Sequence, residues 1–165
     1  MGVLMPEAMT VERIVQEALV AILVAGEADL RIDSRPVSVV RHVPEQAMSG
    51  RVPAIEVKRA VRQGVEPWAS GYERIELSVP VNFFDGGKPN SDDWDVLAER
   101  LSLLVDRARK KLKEFPNLNL SFLHVHESFT RWQEGELESV GNNWRKLPMS
   151  LVVPVIVEEG KVWEV

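Results

Sequence analysis

Apolar residues recur at helical spacing early in the chain, at Val11, Ile14, Val15, Ala18, Leu19, Ile22 and Leu23. Thr10 precedes them as an N-cap and Gly26 follows, suited to a left-handed C-cap, so the pattern predicts a helix over residues 11–25. Val20 and Val24 widen its apolar surface beyond one stripe, which predicts contact with more than one layer of neighbours. A second helix is predicted over residues 91–113, capped by Ser91, with Asp92 and Asp93 in its first turn. Its apolar face runs through Trp94, Leu97, Ala98, Leu101, Leu104, Val105, Ala108 and Leu112. Arg107, Arg109, Lys110, Lys111 and Lys113 crowd its C-terminal end, where the helix dipole favours cations in any case.

Period-two alternation marks the strands. Ile75, Leu77, Val79, Val81 and Phe83 face one way and Glu76, Ser78, Pro80 and Asn82 the other, which predicts a half-buried antiparallel strand over residues 72–84. Pro80 has no N–H for a ladder, so at that point the strand is expected to be an edge or bulged. Leu147, Met149, Leu151, Val153, Val155 and Val157 repeat the alternation over residues 144–157, and Glu159-Gly160 can turn the chain into a terminal hairpin or sheet extension. Residues 35–43, 52–58 and 118–126 also read as strands. Long loops are expected at 60–71, 85–91 and 131–143. The order of elements predicts an α+β fold in one domain spanning residues 1–165: an antiparallel or mixed sheet with two main helices packed on one face. Ile14, Leu19, Ile22, Ile75, Leu77, Val79, Leu97, Leu101 and Leu104 are its expected core.

Charge and composition narrow the function. Twenty-five acidic against 20 basic residues give −5, so no global positive field gathers phosphates. With no cysteine there is no thiol catalysis and no thiolate metal site. Glu7, Glu12, Arg13 and Glu17 precede the apolar run 18–26 with no basic n-region, unlike a signal peptide, and no stretch approaches the roughly 20 apolar residues that span a bilayer.

Candidate chemistry is sparse. His124 and His126 lie at strand spacing and project from one face, where they could share an ion with His42 or a carboxylate; the set is incomplete, and a hydrogen-bonded strand face is the preferred reading. No nucleophile elbow is present. Asp85-Gly86-Gly87-Lys88 falls between a strand and a helix, but its spacing matches no phosphate loop, and Asp85, Asp92 and Asp93 would repel an anion there. Pro67, Trp68, Trp132 and Trp144 fall in or beside expected loops, where a large ring calls for a cover, either a neighbouring subunit or the chain's own body. With Asp85, Gly86 and Gly87 they are the candidate subunit or partner interface. No catalytic residue, metal or cofactor is assigned, and the chain reads as an assembly component, not an enzyme.

The layout of an N-terminal helix, a strand around Pro53-Ala54-Ile55-Glu56-Val57, the alternating strand 72–84, the helix 91–113 and a final alternating strand resembles the tail terminator or tail completion proteins of long-tailed bacteriophages and their relatives in the head-to-tail neck. The resemblance implies a structural virion protein, assembled in the host cytoplasm. In that family a homo-oligomeric ring, usually a hexamer, caps the tail tube and meets the head-side connector; its partners are the tail tube protein, a neck protein and in some cases the sheath, with DNA only in transit. No catalytic residues carry over. For such a ring the channel wall is expected to be neutral to acidic, with Glu134, Glu136 and Glu138 as candidates. A small-ligand or metal-binding module built on His124 and His126 is the alternative.

Overall fold

The structure is a computed structural model and describes residues 8–32, 34–42, 53–86, 94–118, 120, 124–125, 131–140 and 144–164. In chain order the elements are β1 (Ala8–Met9), α1 (Val11–Ala25), a 3-10 turn (Glu27–Leu30), β2 (Ser38–Val40), β3 (Ala54–Val57), β4 (Val61–Pro67) and β5 (Tyr72–Gly86). They continue with α2 (Trp94–Lys113), β6 (His124–Val125), β7 (Arg131–Glu134), β8 (Glu138–Val140), β9 (Trp144–Glu158) and β10 (Trp163–Glu164).

The long strands β5 and β9 pair antiparallel along their whole lengths, from Tyr72 opposite Glu158 to Gly86 opposite Trp144. On the far side of β5 lie β3 and, further along, β4; on the far side of β9 lie β8, β7 and β6 in succession. β2 adds to β3 in parallel, which makes the sheet mixed, with eight strands among the described residues. The fold is therefore α+β. β1 and β10 form a separate two-stranded sheet, so the last strand turns back to the start of the chain and does not extend the main sheet.

β5 is an interior strand along its length, but at Pro80 itself one side lacks a paired strand residue, the local edge that a proline calls for. Pro80 falls in the gap between two flanking strands: β3 pairs as far as Val81 and β4 begins opposite Ser78. The carbonyl of Pro80 still accepts from the Lys58 N–H at 2.9 Å, so only the donor a proline lacks is missing. Pro148 and Pro154 obey the same rule on β9. Pro148 lies between the partners of β8 and β7, and Pro154 between those of β7 and β6.

Both helices pack on the face formed by Ile75, Leu77, Val79, Val81 and Phe83 of β5 and the odd-numbered residues Leu147 to Val157 of β9, all within one buried cluster. From α1 come Val11, Val15, Leu19, Ile22 and Leu23, and from α2 come Leu101, Leu104, Val105, Ala108 and Leu112. Ile14 is only half-buried, unlike the other expected core residues. Val20 is buried while Val24 is exposed. Gly26 has φ −96°, not a left-handed conformation, because the chain tightens directly into the 3-10 turn. Thr10 holds the N-cap position, but its hydroxyl does not cap the helix and instead accepts from Arg59 at 3.3 Å.

Candidate assembly surfaces

Residues 60–71 hold a strand where a loop is expected. β4 pairs with β5 from Val61 opposite Ser78 to Pro67 opposite Glu73, with an irregularity between Arg62 and Gly64 that leaves Gln63 extra. Every residue of β4 is exposed. Its tip carries Trp68 and Tyr72, which with Val61 and Val65 are 46–52% exposed, so this edge of the sheet presents four half-exposed apolar side chains. Pro67 and Trp68, expected at an interface, are thus at the surface, with Trp68 about half exposed.

The segment 131–143 is not simply a loop either. β7 and β8 both pair with β9, joined by Gly135, whose N–H donates to the Pro148 carbonyl at 2.8 Å. A side chain at Gly135 would meet Pro148 at 2.8 Å, so glycine is required for this close approach. Trp132 is half-buried and packs on Phe83, with ring centroids 6.4 Å apart, which makes it a core anchor more than a free interface ring. Trp144 likewise covers Ala54 and Phe84 and lies against Gly86, where an added Cβ would be 3.0 Å from the indole.

Asp85 and Gly86 belong to the end of β5, not to a breaker loop, and Asp85 is 1% exposed. Its Oδ2 lies 3.2 Å from Arg35 and 3.0 Å from Arg100 of α2, and its Oδ1 accepts from the Gly86 N–H at 2.8 Å. A carboxylate so enclosed serves the fold, which corrects its reading as an interface residue. Gly87 lies outside the described residues, as do His126 and the side chain of His124. His42 lies 3.6 Å from the buried carboxylate of Glu56, which accepts from Asn82 at 2.8 Å. Among the described residues no three histidine or acidic side chains are grouped to hold a metal.

Glu134, Glu136 and Glu138 are all exposed but do not share a face. Glu134 is opposite Met149, on the helix side of the sheet, whereas Glu138 is opposite Lys146, on the other side. This separates residues expected together on one channel wall, because the register on β9 shifts by one residue between β7 and β8 and so turns an even spacing to opposite faces. At the end of α2, Lys111 is held by Asp29 at 2.7 Å and Glu114 at 3.2 Å, and the Asp29 contact lowers the aspartate pKa and raises that of the lysine.

Glu12 ties α1 to the exposed hairpin. Its Oε1 accepts from Arg62 of β4 at 2.7 Å, and Arg59 lies 3.9 Å away. Burial pushes its carboxyl up, but hydrogen bonds from its own backbone N–H, Arg62 and Thr10 outweigh this and hold it below the ordinary 4.5. Glu17 is held down by Arg41. A carboxyl with a lowered folded pKa contributes stability above its unfolded value and loses it as pH falls through the folded value. Stability is therefore expected to fall as the pH drops below about 4.5. Glu12→Gln should cost about 1–2 kcal/mol at neutral pH and flatten part of that decline. Thermal melts across the acid range check this, and parallel pH profiles for the two proteins would refute the role of Glu12.

No protein-family model matches the sequence, and no curated protein matches it. Among the described residues no helix is long and apolar enough to cross a membrane.

Proposed function

We propose that the chain is a structural virion protein of a long-tailed phage. Its copies form a ring, with six as the working number, that caps the tail tube and joins it to the head-side neck. The observation that carries this reading is β4: a seven-residue strand, exposed throughout, on the outer edge of a sheet and bearing half-bare apolar side chains. Such an edge is a liability for an isolated chain and an asset for an assembling one. The virion setting comes from the resemblance in element order. In the virion the ring meets the tail tube protein and a neck protein, and DNA passes through the lumen.

The sheet face turned away from the helices suits a bore. It carries Glu66, Glu76, Glu138 and Glu158 against Arg74, Arg131 and Lys146, with Glu56 buried on the same side, and most of these pair with one another: Arg74 with Glu66 and Glu76, Arg131 with Glu76, and Lys146 with Glu138. The Arg131–Glu76 pair reaches across β9, so its aliphatic stems lie over Val152 and Pro154, which are buried on this face. A wall of this kind is mildly acidic and does not grip phosphates, and a hexamer at about −30 overall adds no attraction. The ring is expected not to retain duplex DNA at physiological salt in a filter-binding assay. Retention, with loss of binding on replacing Arg107, Arg109 and Lys110, would turn the reading towards a DNA-gripping component. The capping role is tested by adding the purified chain to polymerising tail tube protein: tube length by electron microscopy should fall as chain is added, and unchanged tubes would reject it.

A further inference from the structure

Among the outer edges that no described strand covers are β4 on one side of the sheet and β7 on the other, and these two are complementary. From β4 to β7 the order is β4, β5, β9, β7, with strand direction alternating at every step. A second copy in the same orientation would bring its β4 antiparallel to β7 of the first. Backbone direction selects the register. The Gly135 N–H bonds β9, so by alternation Arg131 and Gln133 face β9 and Trp132 and Glu134 present their N–H and C=O groups outward. The Trp68 N–H bonds the Tyr72 carbonyl, so Glu66 and Gly64 face β5 and Val65 points outward. Pro67 also points outward but has no N–H, which closes the edge at that end.

We propose that β4 of one copy pairs antiparallel with β7 of the next, with Val65 opposite Trp132 and Glu66 opposite Arg131, joining copies head to tail. It rests on the self-assembly part of the function proposed above and not on the virion setting. In this register Val65 and Trp132 are both outward-bonding and both on the helix side, while Glu66 and Arg131 are a non-hydrogen-bonded pair on the opposite face. The extra residue Gln63 then brings Arg62 opposite Glu134, both on the helix side. Two opposite-charge pairs and one apolar pair therefore coincide in a register that the backbone independently allows. Glu66 and Arg131 are 59% and 66% exposed, and their contacts with Arg74 and Glu76 make the joint a continuation of the paired charges on that face.

The same register is compatible with closure. Val65 is level with Val155 on β9 and Trp132 with Leu151, a slip of four residues for each set of four strands. A slip of about 13 Å along strands that span about 19 Å corresponds to a tilt of about 35°, the range that closed barrels use. Such a joint is heterologous, and a heterologous contact gives a ring where its rotation closes and an open filament where it does not.

The chain has no cysteine, so introduced ones report cleanly. Glu66 and Arg131 of one chain are separated by three strand spacings, about 14 Å, too far for an internal disulfide, whereas the proposed pair lies at the short Cα separation of non-hydrogen-bonded neighbours. Glu66→Cys/Arg131→Cys is expected to give a ladder of disulfide-linked multimers on mild oxidation, and a mixture of the two single variants only dimers. Val65→Pro, which removes an outward N–H and leaves the β5 ladder alone, should stay folded by circular dichroism yet lose assembly by light scattering. If the wild-type chain assembles but the double-cysteine protein stays monomeric on a non-reducing gel, this joint is wrong while a ring remains. If the wild-type chain is itself monomeric at every soluble concentration, self-assembly and this joint both fall.

Discussion

Truncating Leu101 to alanine is expected to destabilise the protein by about 4 kcal/mol, within the 2–5 kcal/mol that buried leucines cost. Leu101 is 0% exposed, and its neighbours on α2, Leu104 and Val105, are buried in the same cluster as the sheet face, so the cavity has little freedom to collapse. The melting temperature should fall by about 8–16 °C, because each kcal/mol moves a domain of this size by about 2–4 °C. Leu103 on the same helix is 41% exposed, and its replacement by alanine should change stability by less than about 0.5 kcal/mol. Urea unfolding of both variants checks the contrast. Equal effects at the two positions would mean that α2 presents a different face to the sheet.

That prediction was open to the sequence because α2, β5 and β9 each bury one face more deeply than the other. Their periods, 3.6 and 2, are imposed by burial on one side only. β4 has no such signature. Val61-Arg62-Gln63-Gly64-Val65-Glu66-Pro67 is exposed on both faces, so nothing forces alternation, and its strand character comes from the ladder that β5 offers it. β7 and β8 escaped for a related reason: around Gly135 and Glu136 the composition is that of a turn, and only the long partner β9 orders the segments on either side. Pro80 signalled a local gap but not the strands that flank it on both sides. A missing donor excludes a strand interior only if a neighbour needs that donor, and which neighbour is opposite Pro80 is a matter of topology that lies beyond local sequence.

The candidate interface divided along the same line. Trp68 is at a bare hairpin tip, as a large ring beside a turn suggested, but Trp132 and Trp144 cover their own sheet. A tryptophan next to a turn signals that something must cover it, and the covering group can belong to the same chain. The pairing of Val65 with Trp132 and of Glu66 with Arg131 could not be posed without the register, because β4 and β7 are separated by the whole width of the sheet.

Asp85 shows what a local reading of charge leaves out, and its replacement by alanine is expected to cost about 3 kcal/mol. Adjacent to two glycines it has the character of a loop residue, yet its carboxylate is 2% exposed and lies within 3.2 Å of Arg35 and Arg100. These contacts fasten the segment after the 3-10 turn and the first half of α2 to the end of β5, and Arg145 on β9 is directly opposite. Removing one partner of a buried ion pair costs about 3–5 kcal/mol, because the remaining charges lose compensation in a poorly solvated place. The lower end applies because the Arg35 side chain is 32% exposed and regains water. Asp85→Asn retains the acceptor for the Gly86 N–H and the shape of the side chain while losing its charge, so a cost of about half as much is expected. Urea unfolding at neutral pH, with an unchanged slope, reads both values. A wild-type midpoint for Asp85→Ala would show that the enclosed carboxylate does not hold these elements together. If Asp85→Asn were instead fully stable but unable to assemble, Asp85 would return to the interface.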